Sequence, residues 1–279
     1  MKSSASWAVA DMTITCNGKP LELADGARLQ QTAHALMPSA SVVIRNGFQT
    51  NEDILLEDGD SITLIEKGVL PPQDVLEHMM AARHSPHVHE TVKRACVGIA
   101  GLGGLGSNIA AMLARTGIGH LILADFDVVE PSNLNRQNYY VSHLGMHKTD
   151  ATADIIRQIN PFITVETHTV RITEDNAMDI FGGCDIVCEA FDNPACKAEL
   201  VSALLSESDT IRIVAGSGMA GYGSSNEILT RKRMSRLYVC GDGETAAANG
   251  VGLMAPRVSV CAGHQANMAL RLLLGIGQP

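Results

Sequence analysis

No stretch of this 279-residue chain approaches the ~20 consecutive apolar residues that cross a bilayer, although 46% of its residues are hydrophobic. That excludes a helical membrane protein. Positive charge is also in deficit: 21 Lys and Arg against 30 Asp and Glu leave a formal charge of −9, which argues against a broad nucleic-acid surface. The seven cysteines are odd in number and lack a framework spacing, so reduced thiols in a cytoplasm are expected rather than a disulfide scaffold. Residues 1–10 (MKSSASWAVA) are too short and too weakly apolar for a signal peptide, and residues 1–11 read as a disordered extension. What remains is a soluble cytoplasmic enzyme, long enough for one large domain and one small one. One basic run, Arg231-Lys232-Arg233 with Arg236, interrupts the acidic background, either as a solvated loop or as a surface that steers an acidic protein partner.

The richest segment is GLGGLG at residues 101–106, between an apolar run (95–100) and a helical stretch (107–115). A glycine-rich turn at a helix N-terminus lets bare backbone approach a phosphate, and free N–H groups with the helix dipole favour an anion. Asp125 ends the next strand, 19 residues beyond Gly106, where a carboxylate takes the two hydroxyls of a ribose. The glycine pattern alone is shared by many nucleotide binders. After Asp125 the chain continues DFDVVEPSNLNRQ, and Lys148 lies 12 residues past Arg136. A dinucleotide oxidoreductase has no evident use for this series, because its pyrophosphate is only cradled. Phosphate-transfer chemistry does need an Arg and a Lys, since charge moves onto the leaving group. A second acidic segment, Glu189-Ala-Phe-Asp192-Asn193, follows the apolar strand 185–188. Asp192 at a strand end either holds magnesium against the phosphates or caps the next helix before Pro194; beside Arg136 and Lys148, the metal role is the better reading.

These phrases, in this order, resemble the ATP-binding domain of the ThiF/MoeB family over roughly residues 78–275. Members adenylate the C-terminal carboxylate of small ubiquitin-like sulfur carriers. The resemblance implies that Gly101, Gly103, Gly104 and Gly106 meet the phosphates and Asp125 the ribose, with Asp127, Gln137 and Asn193 in the same site. It gives Asn133, Arg136 and Lys148 to the triphosphate and Asp192 to magnesium, so that ATP and Mg2+ are the expected cofactors. Arg83, with His84, is similar to a family Arg that reaches a partner subunit's ATP, which implies a homodimer. Many relatives hold a structural zinc with two Cys-x-x-Cys pairs; this chain has no such pair, and no zinc is expected. Cys240, in LYVCGDGE, falls where relatives carry a sulfur-relay thiol, with an inert or exposed loop thiol as the alternative; Cys188 and Cys196 look buried.

The opening segment forms a separate unit at residues 12–67. A strand (13–16), an Asn17-Gly18 hairpin, a returning strand (21–23), a short helix faced by Leu29, Ala33 and Leu36, and strands at 42–44 and 61–65 give ββαβ…β, a β-grasp. MTITCNGKPLEL and LLEDGDSITLI resemble the sulfur carrier ThiS. A working carrier ends in a free Gly-Gly, whereas Glu66-Lys67-Gly68-Val69-Leu70-Pro71-Pro72 runs on into the enzyme. The unit is therefore a pseudo-carrier for docking, regulation or dimer contacts, or a folding appendage. Residues 68–92 are expected to be a linker helix, its His84, His87 and His89 a polar linker.

Residues 93–279 alternate strands (97–100, 121–124, 164–168, 186–188, 211–215) with helices (107–115, 149–159, 174–181, 194–205). This predicts an α/β, Rossmann-like doubly wound, mostly parallel sheet, with antiparallel strands at 226–230 and 237–239 and a closing helix over 257–274. The function expected is adenylation of a separate ThiS-like carrier, served by a sulfur donor protein, for the thiazole branch of thiamine synthesis. Adenylation of a molybdopterin carrier, dehydration of threonylcarbamoyladenosine in transfer RNA, a nicotinamide dehydrogenase and a non-catalytic carrier-binding scaffold are the alternatives.

Overall fold

The computed structural model describes residues 12–85 and 87–279, so the extension expected at 1–11 lies outside the described residues. The chain divides into two compact units, the first ending at His89 and the second running Glu90–Pro279.

In the first unit, β1 (Met12–Cys16) and β2 (Lys19–Leu23) form a hairpin. The chain reverses there because Asn17 and Gly18 both adopt positive φ, 49° and 78°, which matches the strand twist. Helix α1 (Leu29–Leu36), β3 (Val42–Arg45), β4 (Phe48–Gln49) and β5 (Ser61–Ile65) complete a sheet of order β2-β1-β5-β3-β4, with β1 and β5 parallel. Ile14, Leu29, Ala33, Val43, Ile62 and Leu64 fill its core. This is the β-grasp arrangement read from the sequence. The segment that follows is no free linker: helix α2 (Gln73–Met80) packs against β5 within this unit. It buries Val75, and Ile44 and Thr63, register partners outside the main core cluster, are buried as well.

Helix α3 (Val88–Arg94) starts two residues before the second unit and leads into its first strand, β6 (Cys96–Ala100). Then come α4 (Gly104–Thr116), β7 (His120–Ala124), α5 (Lys148–Ile159), β8 (Thr164–His168), α6 (Glu174–Phe181), β9 (Ile186–Glu189), α7 (Pro194–Glu207) and β10 (Arg212–Gly216). Two further strands, β11 (Leu229–Lys232) and β12 (Leu237–Gly241), precede the long α8 (Ala255–Leu273). The sheet order is β11-β12-β10-β9-β6-β7-β8. Helix α4 contacts both α5 and α8, whereas α6 and α7 form a core with Ile122, Val187 and Ile213. Apolar runs such as β9 are buried on both faces, as a doubly wound parallel sheet demands.

Two expectations need correction. Only β11 is antiparallel; β12 pairs parallel with β10 and so extends the parallel sheet. The basic run is only in part a solvated loop, since Arg231 and Lys232 lie in a strand and Arg233 in the exposed turn that follows. Arg231 lies in β11 and donates to the Gly241 carbonyl, and Arg236 donates to the carbonyls of Ile211 and Leu205. Both guanidiniums hold backbone carbonyls, and Lys232 and Arg233 are the exposed members of the run.

Candidate active site

The chain leaves β6 for β7 on one side and returns through β9 on the other. A crevice opens at such a switch point beyond the carboxyl ends of the strands. Here it is a cavity of about 550 Å³, bordered by the glycine turn after β6 and by Asp192 after β9.

The glycine turn fits its space closely. Gly101 has φ of 88°, and a Cβ on Gly106 would overlap the Gly101 carbonyl oxygen, so α4 starts tight against β6. Gly103 is the N-cap of α4 and supplies no side-chain cap, which leaves first-turn amides available to an anion. The turn is pinned from both ends: Asp125 Oδ2 accepts from the Leu102 amide at 2.6 Å, and the Tyr139 hydroxyl donates to the Leu102 carbonyl at 2.8 Å. Asp125 Oδ1 accepts from the Asp127 amide at 2.8 Å, so the buried carboxylate is fixed at the end of β7 and retains lone pairs toward the cavity.

The segment after β7 is docked onto α4. Asn108 Nδ2 donates to the Gly104 and Arg136 carbonyls, and the Asn138 amide donates to Ser107 Oγ. Arg136 thereby lies over Gly104, whose added Cβ would stand 3.6 Å from Arg136 Cγ. Arg136 Nη1 donates to the Ser132 carbonyl and to Asn135 Oδ1, while Nε is buried without a partner among the described residues. Gln137, also on the cavity wall, has a buried Oε1 without a partner among the described residues. Unsatisfied buried polar atoms at a cavity call for a ligand or water. Lys148, at the start of α5, is buried and places Nζ 2.7 Å from Asp127 Oδ2.

Asp192 reaches the cavity, and the choice between its two readings is now physical. The helix cap belongs to Asn193, whose Oδ1 accepts from the amides of Ala195 and Cys196 at 2.8 and 3.3 Å. The Asp192 carboxylate is left without a partner among the described residues.

Gly101, Gly103, Gly104, Asp125, Asp127, Arg136, Gln137, Lys148, Asp192 and Asn193 are thus brought together around one cavity. Gly106 lies in the first turn of α4 and acts through packing. Asn133 does not line the cavity: its Oδ1 accepts from the Glu130 amide and closes the short 3₁₀ turn Pro131–Asn133 ahead of Arg136. Arg83 belongs to the first unit, where it donates to Gln49 Oε1 at 2.9 Å.

Cys240 is no loop thiol. It lies in β12, fully buried, and burial pushes its thiol up to about 11, against thiolate chemistry. In the native protein Cys240 should resist alkylation by iodoacetamide under conditions that label the partly exposed Cys196, read by peptide mass spectrometry. Cys196, expected to be buried, is instead half-exposed and lines the cavity, as do Arg171 and Lys197. Lys197 Nζ donates to the fully buried Glu189 carboxylate and to the Gly216 carbonyl at 2.7 Å. Glu189 in turn accepts from the Phe191 amide at 2.7 Å, gripping the turn that presents Asp192. Burial pushes the Glu189 carboxyl up, opposed by the Lys197 charge.

A switch-point crevice with a glycine turn, a fixed acid at the ribose position and converging cations defines a nucleotide-binding α/β domain. The chain belongs to the ThiF family, whose model matches residues 76–279; a ThiS-like ubiquitin model matches residues 12–68. It is 31% identical over 198 residues to the molybdopterin-synthase adenylyltransferase of Salmonella typhimurium, covering 68% of this chain and 77% of that protein. It is 29% identical to the adenylyltransferase and sulfurtransferase UBA4 of Eremothecium gossypii, over 90% of this chain and 58% of the relative, so it spans little more than half of that protein. The fold is similar to Escherichia coli tRNA N6-threonylcarbamoyladenosine dehydratase in complex with ATP, with a TM-score of 0.66 and 23% identity over 74% of this chain and 98% of that one.

Proposed function

We propose that this chain uses ATP to adenylate the C-terminal carboxylate of a separate small ubiquitin-like sulfur carrier. The observation that carries this reading is the convergence of Asp125, Arg136, Lys148 and an uncapped Asp192 on one cavity. The carrier's carboxylate attacks the α-phosphorus in line, the bond to the bridging oxygen breaks, and pyrophosphate leaves. Arg136 and Lys148 stabilise the charge that gathers on the leaving group, and the α4 amides hold the phosphates. The names of the Salmonella and Eremothecium relatives support the reaction class.

The donor set suits magnesium. Among the described residues no group of three or more His, Cys, Asp or Glu side chains is assembled for a metal. Magnesium on a nucleotide needs only one or two protein carboxylates, since phosphates and water complete its shell. Asp192 is a hard-oxygen donor at the cavity that has no partner among the described residues. The ion would neutralise phosphate charge.

The fused β-grasp unit continues covalently through Gly68 into the enzyme and has no carboxylate to activate, so the substrate carrier is a different polypeptide. Its ThiS-like character supports the thiazole branch of thiamine synthesis, with a sulfur donor protein acting on the acyl-adenylate and a homodimer as the working state. The Salmonella relative's name favours a molybdopterin carrier as the second reading. ATP–pyrophosphate exchange tests the proposal. Exchange should appear only when a separately expressed carrier ending in Gly-Gly is added. Exchange that ignores the carrier but responds to threonylcarbamoylated transfer RNA would overturn it.

A further inference from the structure

At the amino-terminal ends of the same strands, the structure places two thiols side by side. Cys96 opens β6, and Cys184 lies in the turn between α6 and β9. Their Sγ atoms are 3.8 Å apart. The backbones that carry them are clamped: the Asp185 amide donates to the Cys96 carbonyl at 2.9 Å, and the Cys96 amide donates to Asp185 Oδ2 at 2.9 Å. Closing the sulfur gap therefore asks for side-chain rotation without strand movement.

The two thiols are not equivalent. Cys184 is buried, whereas Cys96 is only half-buried. His120, the register partner of Cys96 on β7, brings Nδ1 to 3.7 Å from its Sγ. The interaction with Cys184 draws the Cys96 thiol below its usual value, against burial and the carboxylates of Asp185 and Glu166 that face it. Cys184 is driven far up by its bond to Cys96 and by burial. An accessible, thiolate-favouring sulfur beside a buried protonated one has the asymmetry of an attacking and a resolving thiol. Neither residue borders the nucleotide cavity, which lies at the opposite ends of the strands.

We propose that Cys96 and Cys184 form a reversible dithiol–disulfide pair, with Cys96 attacking and Cys184 resolving, that fastens the start of β6 to the turn before β9. The oxidant is a small-molecule disulfide such as oxidised glutathione. The Cys96 thiolate attacks one glutathione sulfur, that disulfide breaks, and one glutathione leaves as thiolate. Cys184 gives its proton to a leaving thiolate and attacks Cys96 Sγ, and the second glutathione leaves. Two protein thiols lose two electrons in total, and one glutathione disulfide becomes two thiols.

The test equilibrates the full-length protein in glutathione buffers of graded redox ratio, quenches it with acid and maps disulfides by peptide mass spectrometry. A Cys96–Cys184 cross-link that disappears on reduction is expected. In Cys184→Ala the same treatment should stop at a glutathione adduct on Cys96. The pH midpoint for alkylation of Cys96 should also rise in that variant, because the stabilising neighbour is gone. Absence of the cross-link at every ratio would overturn the proposal, as would an alkylation midpoint that Cys184→Ala leaves unmoved. ATP–pyrophosphate exchange plays no part in these readouts, so the outcome is independent of the adenylation reading.

Discussion

Alanine at Arg136 or at Lys148 should slow carrier-dependent adenylation roughly 100- to 1,000-fold, about 3 kcal/mol of barrier, as for the loss of one preorganised oxyanion donor. Both cations are held before any nucleotide arrives. Arg136 is fixed by the Ser132 carbonyl and Asn135 Oδ1, and its buried Nε faces no acceptor among the described residues. Lys148 is buried against Asp127. A charge fixed in advance contributes most where new negative charge gathers, on the departing pyrophosphate. The loss should therefore fall on kcat, with KM for ATP within a few fold of the parent. Steady-state pyrophosphate release at saturating carrier measures both parameters. A loss confined to KM would reduce the two residues to ground-state phosphate binders. A change below about fivefold in both variants would remove them from the chemistry. Circular dichroism of the variants serves as the folding control, since neither side chain belongs to an apolar core cluster.

The part of the site that sequence made legible is the part built from contiguous chain. The glycine turn, Asp125, Arg136 and Lys148 lie within one β–α–β–α passage, so their spacing already encodes a common destination. Asp192 was readable as a strand-end acid, but its freedom depended on whether the neighbouring asparagine took the helix cap, and that is a matter of one side chain's rotamer. Arg171 and Lys197 left no signal of their own. They follow β8 and begin α7, far apart in the chain, and only the switch in strand order places both on the cavity wall. Lys197 does fall five residues after Asp192 and eight after Glu189. That spacing sets it one helical turn inside α7, where a long side chain can double back to the strand end. Cys240 lies just past the strand read at 237–239; parallel pairing with β10 carries that strand through it and buries the thiol. The Cys96–Cys184 contact was illegible for the same reason as Arg171, since 88 positions separate the two thiols.

Removing the Lys197 charge, as Lys197→Met, should be the most destabilising single change among these residues, about 3–5 kcal/mol near neutral pH. Glu189 has no solvent exposure, and Lys197 is its sole cationic partner among the described residues. Without that partner the carboxylate must stay charged in a dry site or take up a proton. Burial already raises its pKa in the folded chain above the ordinary value. The folded state thus holds the Glu189 proton more tightly than the unfolded chain does. Stability is retained below the ordinary carboxylate range and lost as pH climbs from there through the folded value. Loss of Lys197 raises that folded value further, so urea unfolding of Lys197→Met should show a deficit at pH 8 that narrows toward pH 5. The double variant Glu189→Gln, Lys197→Met should recover most of the deficit and show little pH dependence, because no buried charge is left uncompensated. If the single variant is as stable as the parent at pH 8, the pair contributes no net stabilisation. The Ala190–Asn193 turn would then owe its position to the Asn193 cap and to Gln265, which donates to the Glu189 carbonyl at 2.9 Å.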